Sequence, residues 1–97
     1  MPVPRYPEFE RLLDDLRHQP DARFQPGIEL AFNSAIENLA NGDDVVFAFK
    51  WLCNDLEQLA FDGFRITPDL YRRIDAVGRA VGAPADHWKT LERYVVA

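Results

Sequence analysis

Few side chains in this chain have the types and spacing that chemistry requires. A zinc site draws on several Cys, His or carboxylate ligands at close spacing, whereas His18 and His87 stand far apart with no second His or Cys beside either. No metal and no cofactor is expected. The single cysteine, Cys53, would act as a nucleophile only if a neighbouring base or cation held it as thiolate, and Leu52, Asn54 and Leu56 supply neither. The paired acids Asp14-Asp15 and Asp43-Asp44 are adjacent in sequence. Adjacent helical residues point about 100° apart, so neither pair can flank one scissile bond as two glycosidase carboxylates do. There is no glycine-rich phosphate loop and no Ser-centred elbow. These residues describe a binding protein rather than an enzyme.

The groups suited to binding are concentrated between Gly42 and Ala60. With Val45 set at 0° and about 100° per residue, Phe49, Leu52, Cys53, Leu56, Leu59 and Ala60 fall within about 80° of one direction. Phe47, Trp51, Asn54 and Gln58 fall opposite. An acidic helix that keeps a Phe and a Trp away from its own apolar stripe is either covered on both sides or offers those rings to another protein. Lys50, Asn54 and Gln58 share the side of the rings and are poor residues for a fully buried face. The candidate partner-binding residues are therefore Asp43, Asp44, Phe47, Trp51, Asp55, Gln58 and Asp62, with the acids steering the encounter and the rings supplying affinity.

Positioning that segment requires helices around it. Pro2 and Pro4 predict an extended start, and Pro7 suits a first helical position that tolerates a missing N–H. A helix over 7–18 follows, with Phe9, Leu12, Leu13 and Leu16 as its stripe, acids Glu8 and Glu10 at its start, and Arg17 and His18 at its end. Residues 20–26 read as a connector. The second helix is predicted from about Gly27 to Asn41-Gly42, burying Ile28, Ala31, Phe32, Ala35, Ile36 and Leu39 and ending in a left-handed glycine cap. Asp43 is then placed to cap the third helix, and so short a link predicts an antiparallel hairpin.

Thr67-Pro68-Asp69 combines a capping hydroxyl, a proline at the first helical position and an acid in the first turn. It predicts a fourth helix to about Val81 with Leu70, Ile74, Val77 and Val81 inward, Tyr71 and Gly78 flanking them, and Gly82 at the end. Arg72, Arg73 and Arg79 fall on its exposed side, where acids of the third helix are available to pair with them. Pro84 and Asp86 start a last helix over 84–96 with Trp88, Leu91 and Val95 inward. Val45-Val46-Phe47 and Tyr94-Val95-Val96 favour strands by composition, but each lies within helical spacing, so no strand is expected. The predicted fold is all-α, a compact bundle of about five short helices in a single domain over 1–97.

The chain has 97 residues and a formal charge of −5. The imbalance is local. Residues 37–69 hold Glu37, Asp43, Asp44, Asp55, Glu57, Asp62 and Asp69 against Lys50 and Arg65, which places a net −5 in that window alone. Such a field repels phosphate backbones and anionic membranes and attracts basic proteins. No direct nucleic-acid partner is expected. The link over 61–67 is also longer than a helix-turn-helix turn, and the helix before it is acidic. The start of the chain lacks the apolar run of a signal peptide, and no stretch approaches the roughly 20 apolar residues of a membrane span. A protein in the cytoplasm without a membrane partner is expected.

From Gly42 onward the order of residues resembles the MafI-type family of small bacterial immunity proteins. The resemblance rests on Ala48, Leu52-Cys53-Asn54-Asp55-Leu56, Ile66-Thr67, Tyr71, Ile74, Gly78, Gly82, Trp88 and Leu91, and covers about the C-terminal half. In that family a Leu-Cys-Asp-Asn-Leu-like stretch leads into a Tyr-x-x-Ile helix and a terminal Trp-x-x-Leu helix; here the central pair has the order Asn54-Asp55. The resemblance implies a protein that binds and inhibits a cognate toxin domain, often a nuclease, and performs no catalysis itself. The alternative is a helical interaction or regulatory subunit, self-associating or bound to an ordinary cellular protein. A neighbouring gene for a large secreted protein with a variable C-terminal domain separates the first reading from the second.

Overall fold

A helix leaves its first N–H and last C=O groups without partners, and the way those groups are satisfied sets where each helix of this chain starts and stops. In the computed structural model, which describes residues 7–19 and 22–96, the order is α1 (Pro7–Arg17), a 3-10 turn (Ala22–Phe24), α2 (Gln25–Ala40), α3 (Val45–Phe61), α4 (Pro68–Val81), α5 (Asp86–Lys89) and a 3-10 segment (Thr90–Tyr94). The fold is an all-α bundle. The extended start expected from Pro2 and Pro4 lies outside the described residues, as do Pro20 and Asp21 of the expected connector.

Helix α2 ends at Gly42, whose φ of 84° only glycine adopts without strain. That turn lets Asp43 donate its backbone N–H to Asn38 O at 3.0 Å, the closing bond of a Schellman motif. Helices α3 and α4 close in the same manner, through Phe64 N–H to Leu59 O and Ala83 N–H to Gly78 O, each at 2.9 Å. Because Asp43 is drawn back onto α2, it is Asp44 that caps α3, accepting from Val46 N–H at 3.2 Å. The cap expected at Asp43 is corrected by one residue. At the start of α4, Thr67 Oγ1 accepts from Leu70 N–H at 3.1 Å, as the Thr-Pro-Asp signal requires.

The core is one cluster built from Phe9, Leu12, Leu13 and Leu16 of α1, Ile28, Ala31 and Ala35 of α2, the Val45 side of α3, and Leu70, Ile74, Val77 and Gly78 of α4, closed by Trp88 and Leu91. Helix α3 runs through its middle. Phe49 has no exposed surface. Phe9 meets its ring edge-on at 6.2 Å between centroids, and Trp88 does so at 5.9 Å. The indole of Trp88 has room because α4 presents Gly78 to it: a Cβ at that position would lie 2.4 Å from Trp88 Cε3 and Cζ3. Trp88 Nε1 donates to Asp75 Oδ1 at 2.8 Å, and Arg79 Nε donates to Asp75 Oδ2 at 3.0 Å. Partial burial tends to raise the Asp75 carboxyl. The hydrogen bonds from Arg79 and Trp88, with the charges of Arg79 and Lys89, outweigh it and hold the group below its ordinary value.

Three expectations are revised. Ile36 is exposed, because it sits about 80° from Ile28 at the edge of a stripe that α1 and α3 cover only in its middle. The last helix ends as α after Lys89 and tightens to 3-10. Trp88, Leu91 and Tyr94 are spaced by three, which a three-residue turn keeps on one side while an α-helix would rotate them away. Finally Val95 and Val96 are extended: Val95 forms an isolated parallel bridge with buried Ile66, and Val96 N–H donates to Ile66 O at 3.0 Å. Among the described residues this bridge is the sole β-type pairing and makes no strand.

Gly78→Ala tests the Trp88 contact. Alanine is the better helix former by about 1 kcal/mol, yet the variant is expected to lose about 1–3 kcal/mol in urea unfolding, since a buried indole cannot swing aside. In a Trp88→Phe background the same change should cost markedly less; equal costs in both backgrounds would locate the strain elsewhere. Acidification tests Asp75. With the folded carboxyl held below its ordinary value of 3.8, the unfolded chain takes the proton first, so this stabilisation is present above that value and is lost as pH falls through the depressed one. Urea midpoints followed down to about pH 2.5 should fall less steeply in Asp75→Asn than in the wild type.

Candidate functional site

The core consumes the Val45 side of α3 and leaves the opposite side to solvent. Phe47 and Trp51, one turn apart, are each 46% exposed. Their rings meet edge-on at 5.9 Å and 72°. Neither belongs to the buried core cluster. They form one wall of a shallow recess of about 400 Å³, whose other wall is Ser34 and Asn38 of α2, with Asp55 one turn beyond Trp51. A second recess of about 290 Å³ continues it between Leu30 of α2 and Gln58 and Leu59 of α3. Ser34 and Asp55 line both, so the two recesses make one furrow along the α2–α3 hairpin. From Asn38 to Gly27 it is about 16 Å long, roughly three helical turns.

Of the residues expected to bind a partner, Phe47, Trp51, Asp55 and Gln58 line this furrow. Asp43 and Asp44 are exposed at the start of α3 and Asp62 at its end. The 17 residues of α3 separate these ends, about 25 Å apart, so the three acids flank the furrow rather than line it. The α2 wall was not anticipated from the sequence. Its signal is the row Leu30, Ser34 and Asn38, four residues apart and off the Ile28 stripe. Leu30 is 69% exposed. Phe61, 76% exposed at the end of α3, was likewise not singled out and stands outside the furrow lining.

The electrostatics separate this side from the rest of the bundle. Arg72 pairs with Asp69 at 3.7 Å, Arg73 with Asp15 at 2.7 Å and Asp69 at 3.2 Å, and Arg79 with Asp75. The pairing expected between these arginines and the acids of α3 is therefore corrected: α4 packs beside α1 and turns its arginines to Asp15 and to its own carboxylates. Among the described residues no cation pairs with Asp43, Asp44, Asp55 or Asp62. Asp55 is half-buried, and that burial pushes its carboxyl above the ordinary value.

Elsewhere, Cys53, His18 and the recess between α1 and α4 are the other places where chemistry could be sought. Cys53 is buried in the apolar stripe of α3, and desolvation pushes its thiol far up, away from the nucleophilic thiolate. His18 Nδ1 lies 2.8 Å from Asp14 O on an exposed turn. The recess between α1 and α4, about 470 Å³, brings Arg11 beside the Asp15–Arg73 pair, which neutralises itself. Among the described residues no three His, Cys, Asp or Glu side chains gather to hold a metal ion, and no helix is long and apolar enough to cross a membrane. No family model matches the chain, and neither the curated proteins nor the solved structures include one significantly similar to it.

Proposed function

We propose that this chain is an immunity protein of the MafI type, which binds a cognate toxin domain such as a nuclease and neutralises it by occluding its active or substrate-binding surface. The observation that carries the reading is the exposed Phe47–Trp51 pair set at a furrow between two helices and flanked by acids that pair with no cation of the described residues. A surface that receives phosphate backbones is basic. An acidic chain that approaches such a surface is steered to it and, once docked, displaces the nucleic acid. Asp43, Asp44 and Asp62 act on the encounter rate. Phe47 and Trp51 supply affinity when their exposed area is buried in the complex. The protein contributes no catalytic step, and it acts in the cytoplasm of the producing cell, where the toxin must be held inactive.

The test is co-purification with the C-terminal domain of a neighbouring secreted toxin, followed by calorimetry on variants. Trp51→Ala is expected to weaken the complex by about 2 kcal/mol or more, some thirtyfold, while the free chain keeps its unfolding midpoint. A folded Trp51→Ala variant that binds as the wild type does removes the central claim. Asp43→Asn with Asp44→Asn, which keeps an N-cap acceptor at position 44, should lower the association rate at low salt and leave dissociation nearly unchanged.

A further inference from the structure

We infer that the furrow receives an amphipathic helix of the partner and that an arginine of that helix seats its guanidinium between Trp51 and Asp55. This rests on the reading of the α3 side as the binding face and names the chemistry it selects. Among the described residues Asp55 is the only carboxylate lining the furrow, it is half-buried, and no cation of those residues pairs with it. A carboxylate taken partly out of water without a counter-charge is unfavourable until one arrives. Trp51 lies one turn away on the same face, its indole held at an angle by Phe47. An indole face beside a carboxylate matches a planar cation that stacks and donates paired N–H groups, which is arginine more than lysine. Ser34 and Asn38 on the facing wall supply oxygen acceptors for the remaining donors.

The second recess defines the rest of the occupant. Leu30, Leu59 and the stem of Gln58 form an apolar seat two turns from Trp51, about 10 Å along the axis, which is the reach between residues i and i+7 of a helix. The partner helix therefore carries an arginine and a leucine-like residue seven apart. A second copy of this chain is a poorer match, because a two-fold contact centred on the furrow would bring the two Asp55 carboxylates and the flanking acids together. The chemistry that complements this face is basic and helical.

The probe is a fifteen-residue alanine-based helical peptide with Arg and Leu seven positions apart, together with a twin in which citrulline replaces Arg. Each is titrated into the full chain with the Trp51 indole N–H and the Asp55 amide followed by NMR. Saturable shifts at both groups are expected, with the citrulline peptide about tenfold weaker. Asp55→Asn should reduce binding of the arginine peptide to the citrulline level without lowering the stability of the free chain. Equal binding of the two peptides, shifts confined to other faces, no saturable shift at millimolar peptide, or a destabilised Asp55→Asn would each overturn the inference. The toxin complex separates the two proposals. Loss of toxin binding in Trp51→Ala with none in Asp55→Asn leaves the immunity reading standing and removes the arginine seat. Arginine-selective peptide binding without any toxin complex does the reverse.

Discussion

The bundle closes on Phe49. Its ring has no exposed surface and is gripped edge-on by Phe9 of α1 and by Trp88 of α5, so one side chain of α3 ties the first and last helices to the centre. Each edge-to-face pair adds on the order of 1 kcal/mol to the burial of the rings. The larger effect is geometric. The Phe49 side of α3 must face inward for both contacts to form, and this fixes the rotation of the helix about its axis. Residues about half a turn away, Phe47 and Trp51 among them, then have to face out.

That rotation also explains why the charges divide as they do. Trp88 can reach Phe49 only by lying flat on α4, which is why position 78 has no side chain and why Asp75, one turn earlier, is drawn into a hydrogen bond with the indole. Asp75 then holds Arg79, while Arg73 reaches α1 at Asp15, so the outer side of α4 balances its own charge and joins its neighbours. On α3, by contrast, no cation of the described residues pairs with Asp55 or with the flanking Asp43, Asp44 and Asp62, although Glu57 accepts from Thr90 at 3.3 Å, so those four carboxylates leave a negative field at this side of the bundle.

The sequence was most legible where local rules decide the outcome. The stripes of α1, α3 and α4, the Gly42 stop and the Thr67-Pro68 start all follow from 3.6-residue periodicity and terminal hydrogen bonding, which require no knowledge of neighbours. It was less legible where a neighbour decides. Val95 and Val96 leave the helical path because Ile66 presents a carbonyl to them, and periodicity has no access to a contact nearly thirty residues away. Phe24 ends the short 3-10 turn before α2 and Phe64 lies in the link after α3, yet both are buried and meet edge-on at 5.6 Å. The same limit applied to the site. The aromatics of α3 stand out as misplaced on their own helix, whereas Leu30, Ser34 and Asn38 of α2 become meaningful only once α2 lies beside α3.

The furrow differs from a flexible surface loop in how firmly its walls are held. Its two helices are joined by a turn in which Gly42 and Asp43 close α2 and Asp44 opens α3 without an intervening free residue. Their inner faces are sealed by Ala31, Ala35, Leu52 and Leu56, all within the core. Any helix that docked in the furrow would meet walls already in place, and the ordering cost that weakens association with mobile segments would largely be avoided. Meanwhile the lining residues Leu30, Phe47, Trp51 and Gln58 lie outside the core cluster. Their identities can change with little effect on folding, so one scaffold can hold many furrow chemistries. That separation of furrow from core follows from a single constraint, the inward rotation of α3 imposed at Phe49.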